Sequence, residues 1–322
     1  MSPGSPGIGA GPLRTVFMGT PFFAVPSLSA LAATEKVTLV LCNPDRPAGR
    51  GRVVASPPVK EEAERLGIPV FQPQKARQPD AVERIAAEEP DLIVVVAYGH
   101  ILPKSILEIP RTMCVNVHAS LLPKYRGAAP INWAVAAGES ETGITIMKMD
   151  EGMDTGPILL VRKMPIGDGD TAESMYGKLS GLGAEALVEA LGRLREGTLA
   201  ETPQDDARAT YAPLLKKEHG RIDWRKEARE LRDLARGMTP WPTATAVHDG
   251  KMLRILSSAV AAGSPGKAGE PGEVVAAGRE GVSVACGAGV LRLLSVQPEG
   301  GKPMDAWAYA QGRRLRKGDR LS

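Results

Sequence analysis

Cysteine is scarce. Cys42, Cys114 and Cys286 are the only three in 322 residues, and they stand far apart. An odd, scattered set in apolar or strand-like stretches excludes a disulfide framework and reads as the reduced, buried thiols of a cytoplasmic protein. Histidine is as sparse. His100, His118, His219 and His248 have no metal-type spacing, and no metal is expected. No apolar run approaches the length of a membrane span. The formal charge is only +3, so a bulk polyelectrolyte role is excluded, and any nucleic-acid contact must come from local basic patches. No G-x-G-x-x-G follows the first strand, so no dinucleotide is implied. No serine or cysteine stands beside a base in a nucleophile context. Ser120 is near His118, but no nucleophile elbow surrounds it, and covalent catalysis is not favoured.

What is present is a regular order of elements. At 322 residues the chain is long enough for two domains. Residues 1–12 are rich in Gly, Pro and Ser without the charged start and apolar run of a signal peptide, and are expected to be a disordered extension. A strand at 14–18, a helix at about 24–33 and a strand at 37–42 form a βαβ unit with a parallel sheet. The pattern repeats with a strand at 68–71 and a helix at about 80–88. Leu92 to Ala97 is a continuous apolar run, the mark of a strand buried on both faces. A short helix at 103–107 precedes a strand at 113–117. A helix at 131–137, strands at 143–149 and 158–164 and helical spacing over 171–195 complete this half. Glycines weaken that last helix.

Residues 197–209 are polar and read as a linker. Beyond it come a helix at 228–238, several short alternating segments punctuated by glycine, a terminal helix at 305–311 and a basic tail. Such spacing predicts a small β-barrel. The expected organisation is therefore a disordered extension (1–12), a Rossmann-like α/β domain with an open, mostly parallel sheet (13–196), a linker (197–209) and an OB-like β-barrel domain (210–322).

The stretch from Asn43 to Pro58 is longer than connections in compact α/β units usually are, and it holds Arg46, Arg50 and Arg52 against a single acid, Asp45. It reads either as a solvated surface loop or as a basic arm for a phosphate-rich partner. Ser56 is expected to cap the helix that follows, with Pro57 in its first turn.

Chemistry concentrates where the strand 113–117 ends. Side chains on a strand alternate, so Asn116 and His118 point the same way. Pro123, Gly127 and Pro130 force a loop at once. Three loops, 98–102, 118–127 and 150–156, should gather at the carboxyl edge of the sheet, where open α/β sheets place their ligands. They bring Asn116 and His118 to an acidic turn with Asp150 and Asp154, and spacing alone does not choose between the two acids. The plain alternative is that these are turn and cap residues. The chemical reading is direct attack of an amine on a carbonyl-like carbon, with Asn and His facing the oxyanion and a carboxylate managing protons.

Asn116-Val-His-Ala-Ser-Leu-Leu-Pro123, Tyr125-Arg-Gly-Ala-Ala-Pro130 and Thr142-Gly-Ile-Thr-Ile-Met-Lys-Met-Asp-Glu-Gly-Met-Asp-Thr-Gly156 resemble the folate-dependent formyltransferase superfamily, and the similarity runs from Leu13 to nearly the C-terminus. The loop Pro44 to Arg52 is similar to the tRNA-facing insertion of the branch that formylates methionyl-tRNA. Arg221-Ile-Asp-Trp224 and Pro240-Trp-Pro242 point the same way.

The resemblance implies Asn116, His118 and Asp154 as the catalytic trio and Ser120, Leu121, Leu122 and Pro123 as the folate-binding segment. It implies tRNA-binding roles for the loop arginines Arg46, Arg50 and Arg52. The implied co-substrate is 10-formyltetrahydrofolate, the implied partner is methionyl initiator tRNA, and the implied route is direct amine attack through a tetrahedral intermediate. A cytoplasmic monomer, without metal or membrane, is expected. The competing expectations are formylation of a nucleotide-sugar amine or of glycinamide ribonucleotide and, from the basic tail and the barrel, a non-catalytic RNA-binding module.

Overall fold

The computed structural model describes residues 11–48, 53–262 and 268–322. Residues 1–10, most of the expected extension, lie outside them. The described chain divides into two compact units.

The first unit carries β1 (Arg14–Gly19), α1 (Val25–Thr34), β2 (Lys36–Leu41), β3 (Arg46–Ala48), β4 (Val53–Ala55), α2 (Pro58–Arg65), β5 (Val70–Phe71), α3 (Pro79–Ala86), β6 (Leu92–Val96), α4 (Lys104–Leu107) and β7 (Met113–His118). After α5 (Pro130–Ala136) come β8 (Glu141–Lys148), β9 (Ile158–Pro165) and the long helix α6 (Ala172–Arg195). The apolar run at β6 does what its composition dictates: all five side chains are buried. The sheet order is β5-β2-β1-β6-β7-β8-β9. The pairs from β5 to β7 are parallel, and β8 and β9 add an antiparallel edge.

Alternation sorts the side chains into two layers. Val16, Met18, Leu39, Leu41, Ile93, Val95 and Cys114 share one core with Ile85 of α3 and Ile106 of α4. On the other face Val117 lies against Gly183 of α6, and the Ser180 hydroxyl on the same helix donates to the Phe23 carbonyl at 2.9 Å. Close packing on this face keeps α6 helical through its glycines, which propensity alone would not predict.

The chain builds outward from β1 through β2 to β5, then returns past β1 to lay down β6 and β7. Open α/β sheets bind their ligands outside the carboxyl ends of the strands at such a reversal, here those of β1 and β6, beside the end of β7.

Three expectations change. The long stretch after β2 is not wholly irregular: β3 and β4 pair as an antiparallel ladder from Arg46↔Ala55 to Ala48↔Val53. Ser56 does not cap α2. The cap position is Pro57, with proline again at the first helical position, where a missing N–H costs nothing. The unit boundary falls between Ala212 and Pro213, and Ile131–Ser140 and Ile166–Met175 group with the second unit.

The contacts of those segments explain the grouping. Ala212 N–H donates to Arg126 O at 2.7 Å, so residues up to 212 stay with the first unit. Asn132 Nδ2 donates to Gly237 O at 2.8 Å, and Arg236 donates to Gly167 O at 2.9 Å and Asp170 O at 2.8 Å.

The second unit is antiparallel β, and besides most of α5 it carries α7 (Ala228–Gly237) and α8 (Ala306–Arg313). Its strands β10 (Ala244–His248), β11 (Lys251–Val260), β12 (Val274–Gly278), β13 (Gly281–Ala285) and β14 (Val290–Pro298) pair in the order β10-β11-β14-β13-β12, with β15 (Met304–Asp305) on β14. Bulges in β11 near Ser257 bend the sheet, as extra residues in one strand do. One core, including Trp224, Leu231, Ile255, Val284, Leu293 and Tyr309, joins strands and helices.

The first unit's core makes a direct prediction. Ile93 is fully buried at the centre of the parallel sheet. Ile93→Ala should lower the unfolding free energy of that unit by about 2–5 kcal/mol in denaturant titration. A loss below half a kcal/mol would mean that this strand is not the centre of the core.

Candidate active site

β7 delivers two polar side chains to the end of an otherwise apolar sheet. Asn116 is half-buried, and His118 is 6% exposed. Met149 N–H donates to Cys114 O at 2.8 Å, which pins the exit of β8 beside β7. The turn from Asp150 to Gly156 then brings Asp154 back over both residues. Asp154 Oδ1 lies 3.4 Å from Asn116 Nδ2 and 3.6 Å from His118 Nδ1.

The other imidazole nitrogen is committed. His118 Nε2 is 3.0 Å from the Tyr125 carbonyl, which can only accept, so Nε2 carries a proton and Nδ1 faces the carboxylate.

The geometry separates the two acids that spacing left equal. Asp150 is exposed and folds back on its own turn, accepting from Gly152 N at 3.0 Å and from the Thr155 hydroxyl at 2.7 Å. Asp154 instead turns toward β7. Its Oδ2 accepts from Gly127 N at 2.8 Å, and its backbone has φ +56. A non-glycine residue in that region costs about 1–2 kcal/mol, so the surroundings must hold it there.

Gln204 supplies part of that hold. Its Nε2 donates to Asp154 O at 2.8 Å and to Gly156 O at 2.7 Å. Two glycines make the approach possible. A Cβ at Gly156 would lie 1.9 Å from Lys148 O, and one at Gly127 would lie 2.8 Å from Ala212 O in a backbone with φ +115.

The segment 120–123 is anchored from beneath. Ser120 is buried, its hydroxyl donating to Lys124 O at 2.6 Å. Thr145 Oγ1 on β8 donates to Ser120 O at 2.7 Å and accepts from Leu122 N at 3.1 Å. Leu122 is buried; Leu121 and Pro123 are half-buried. The Ser120 and Leu122 side chains therefore shape the loop, and Leu121 and Pro123 retain exposed surface.

A second polar cluster gathers at the ends of β1, β2 and β6. Asn43 N donates to the Thr20 hydroxyl at 3.2 Å, Asn43 Nδ2 donates to Tyr98 O at 3.4 Å, and Asn43 Oδ1 lies 2.7 Å from His100 Nε2. Burial holds the His100 imidazole below the ordinary histidine range, and the charge of Arg46 adds to the effect. Ile101 beside it is 80% exposed.

Asp45, at the base of the β3–β4 ladder, is held below the usual carboxylate range, first by the hydrogen bond from Lys60 at 2.7 Å and then by one from Gln72. Arg46 is exposed at the near end of β3; Arg50 and Arg52 lie outside the described residues. Among the described residues no group of three or more His, Cys, Asp or Glu could hold a metal ion, and no helix is long and apolar enough to cross a membrane.

Asn116, His118 and Asp154 thus come together. Sequence reasoning missed Gly127 as the anchor of the Asp154 carboxylate, and it missed Thr20, Asn43, Arg126 and Gln204 altogether. Asn43, a polar residue directly after the apolar β2, was a usable signal. Gln204 carried none, because it lies in a polar stretch far along the chain.

Residues 13–191 match the formyl transferase family, and residues 214–314 match the formyl transferase C-terminal domain. Curated relatives named methionyl-tRNA formyltransferase cover nearly the whole chain. The one from Geobacter metallireducens is 52% identical over 96% of this chain and 98% of its own length. The one from Sorangium cellulosum is 51% identical over 95% and 98%.

Solved structures share the fold at lower identity. An N-formyltransferase from Helicobacter canadensis, in complex with folinic acid and dTDP-3-aminofucose, is 18% identical with a TM-score of 0.64, over 87% of this chain and 99% of that one. HypX from Aquifex aeolicus, in complex with tetrahydrofolic acid, is 19% identical with a TM-score of 0.60, over 95% of this chain and 48% of that one. Half the positions shared with relatives along almost the entire length leave no part of the described site outside the match, and the chain belongs to the formyl transferase family.

Proposed function

We propose that this enzyme transfers the formyl group of 10-formyltetrahydrofolate to the α-amino group of methionyl initiator tRNA. The observation that carries this reading is identity near 50% over 96% of the chain to relatives named for that activity. The site supports it with a suitable set of groups. The methionyl amine attacks the formyl carbon, a carbon–nitrogen bond forms, and the formyl oxygen becomes an oxyanion. Asn116 Nδ2 and His118 Nδ1 both face the place where it develops. A proton on Nδ1, added to the one already on Nε2, would make the ring an imidazolium, and Asp154 at 3.6 Å would offset that charge. Asp154 takes the proton lost by the amine. The intermediate collapses as the bond to the folate N10 breaks, and N10 leaves with the proton that Asp154 gives back. Preorganised donors aimed at developing charge do most of the work in such a step.

The donor's place is the crevice at the carboxyl ends of β1 and β6, beside the loop 120–123, where Leu121 and Pro123 retain apolar surface. Two features support tRNA as the acceptor. One is the arginine set Arg46, Arg50 and Arg52. The other is an open groove of about 780 Å³ in the second unit, lined by Lys217, Arg221 and Arg254 around a half-exposed Trp241. Cations beside an exposed indole suit phosphates and a stacked base, though Glu218 also lines the groove.

Removal of one oxyanion donor costs about 10²–10³ in turnover in sites of this kind. Asn116→Ala and Asp154→Asn are each expected to lose at least that much kcat with methionyl-tRNA as acceptor, while remaining folded by thermal melt. Near-normal turnover in either variant would remove that residue from the mechanism. The same assay with a nucleotide-sugar amine as acceptor separates the alternatives: formylation of the small amine but not of charged tRNA would reverse the assignment.

Arg50→Ala tests the partner. A bidentate arginine contact contributes about 1–3 kcal/mol, so kcat/KM for charged tRNA should fall by roughly 5- to 150-fold. Affinity for the folate and melting temperature should stay unchanged. If folate affinity or melting temperature drops as much as transfer does, the loop is structural.

A further inference from the structure

The polar stretch between the two sequence-matched regions does more than connect them. Residues 202–212 lie along both loops of the site. Thr202 and Ile158 exchange backbone hydrogen bonds of 2.9 and 2.8 Å. Further on, Arg126 N donates to Thr210 O at 2.9 Å, Tyr125 N donates to the Thr210 hydroxyl at 2.9 Å, and Ala128 N donates to Ala212 O at 2.9 Å. One end of the strap is thus tied to the segment that follows the Asp154 turn, and the other to the loop that follows His118.

Gln204 sits between these ties with its whole amide committed. Its Nε2 donates to the carbonyls of Asp154 and Gly156. Its Oε1 accepts from Arg126 Nε at 3.1 Å and from the same guanidinium's Nη2 at 2.8 Å. Chemistry fixes the amide's orientation. Flipped, it would set an oxygen against two carbonyls and an NH₂ against a guanidinium.

Arg126 is only 2% exposed, and its remaining charged contact is Asp206 Oδ1 at 2.7 Å. Arg126 also precedes Gly127, whose N–H grips the Asp154 carboxylate at 2.8 Å. The backbone of Asp154 is therefore held by Gln204, and its carboxylate by the residue that follows Gln204's partner Arg126.

We infer that Gln204, oriented by Arg126, is a positioning residue for the reaction: it fixes the peptide of the acidic turn and so aims the Asp154 carboxylate at Asn116 and His118. This rests on the reading of Asp154 given above. Gln204 reaches none of the reacting atoms itself. It holds a residue in a backbone conformation that Asp would otherwise leave.

Gln204→Glu tests the inference. The side chain keeps its length and can still accept from Arg126, but both Nε2 donors are lost and a carboxylate faces two carbonyl oxygens. A small misplacement of a catalytic group costs up to about 10²-fold, so kcat should fall by roughly 10- to 100-fold. KM for the folate and for charged tRNA should stay within about 2-fold, and the melting temperature should hold. Gln204→Ala removes the carboxylate clash and is read in the same way should the glutamate variant fail to fold.

The decisive comparison is the double variant. If Gln204 acts through Asp154, Gln204→Glu added to Asp154→Asn should cost less than about 2-fold further, because residues acting as a unit are not additive. A full multiplicative loss in the double variant would overturn the inference. So would turnover within 2-fold of the parent in Gln204→Glu, or a loss in KM and melting temperature that matches the loss in kcat. Asp154→Asn with full turnover would overturn the catalytic reading and this inference together. An inactive Asp154→Asn beside a fully active Gln204→Glu would overturn this inference alone.

Discussion

The hydrogen bond from Gly127 N–H to the Asp154 carboxylate, at 2.8 Å, is the contact on which the site depends. The carboxylate's approaches to Asn116 and His118, at 3.4 and 3.6 Å, are too long to hold it. A hydrogen bond to a charged group contributes about 1.5–3 kcal/mol, and the left-handed backbone of Asp154 costs about 1–2 kcal/mol. The balance is close, so one further tie decides it, and Gln204 provides two. Oδ2 is spent on that anchor. Oδ1 is left facing Asn116 Nδ2 and His118 Nδ1 on β7.

Legibility followed the length scale of the interaction. Asn116 and His118 could be read as neighbours because a strand's period of two is local and strict. The buried run at β6 could be read because a parallel strand covered on both faces has no polar position to spare. The choice between Asp150 and Asp154 could not be read from spacing. Both carboxylates sit on one turn, and what separates them is a backbone angle and a partner, Gly127, on another loop. Only the resemblance favoured Asp154. Ser56 failed as a cap because two prolines follow it, and the helix begins one residue later than a serine cap requires. Gln204 was invisible for a different reason: its function depends on two carbonyls and a guanidinium that only the tertiary fold collects.

The second polar cluster shows how the crevice is kept in shape. Asn43 ties the ends of β1, β2 and β6 together through Thr20, the Tyr98 carbonyl and His100. Each of these strands ends in a loop, and loops at a sheet edge are the least constrained part of an α/β fold. A residue that bonds to one neighbouring loop through its backbone and to the other through its side chain limits how far the two can separate. The depressed pKa of His100 belongs to the same arrangement. Held neutral by burial, the ring contributes stability that is present above the ordinary histidine pKa and is lost as pH falls through the lower folded value, because the unfolded chain then binds the proton more readily.

The thiols define what kind of catalyst this is. Burial pushes Cys42 and Cys114 up to about 12 and Cys286 up to about 11, so none is a thiolate at neutral pH. With the buried Ser120 hydroxyl donating to a carbonyl, neither the thiols nor that serine is poised to form a covalent intermediate. The groups that remain are a half-buried amide, an imidazole with one nitrogen committed, and a carboxylate held through its backbone. Such a set can lower a barrier only by being in place before the reactants arrive. Its precision must then come from the polypeptide behind it, and the strap at 202–212 is that polypeptide. A segment with the composition of a linker thereby becomes part of the catalytic unit's rigidity: the first unit's site is complete only when the chain has run on as far as Ala212.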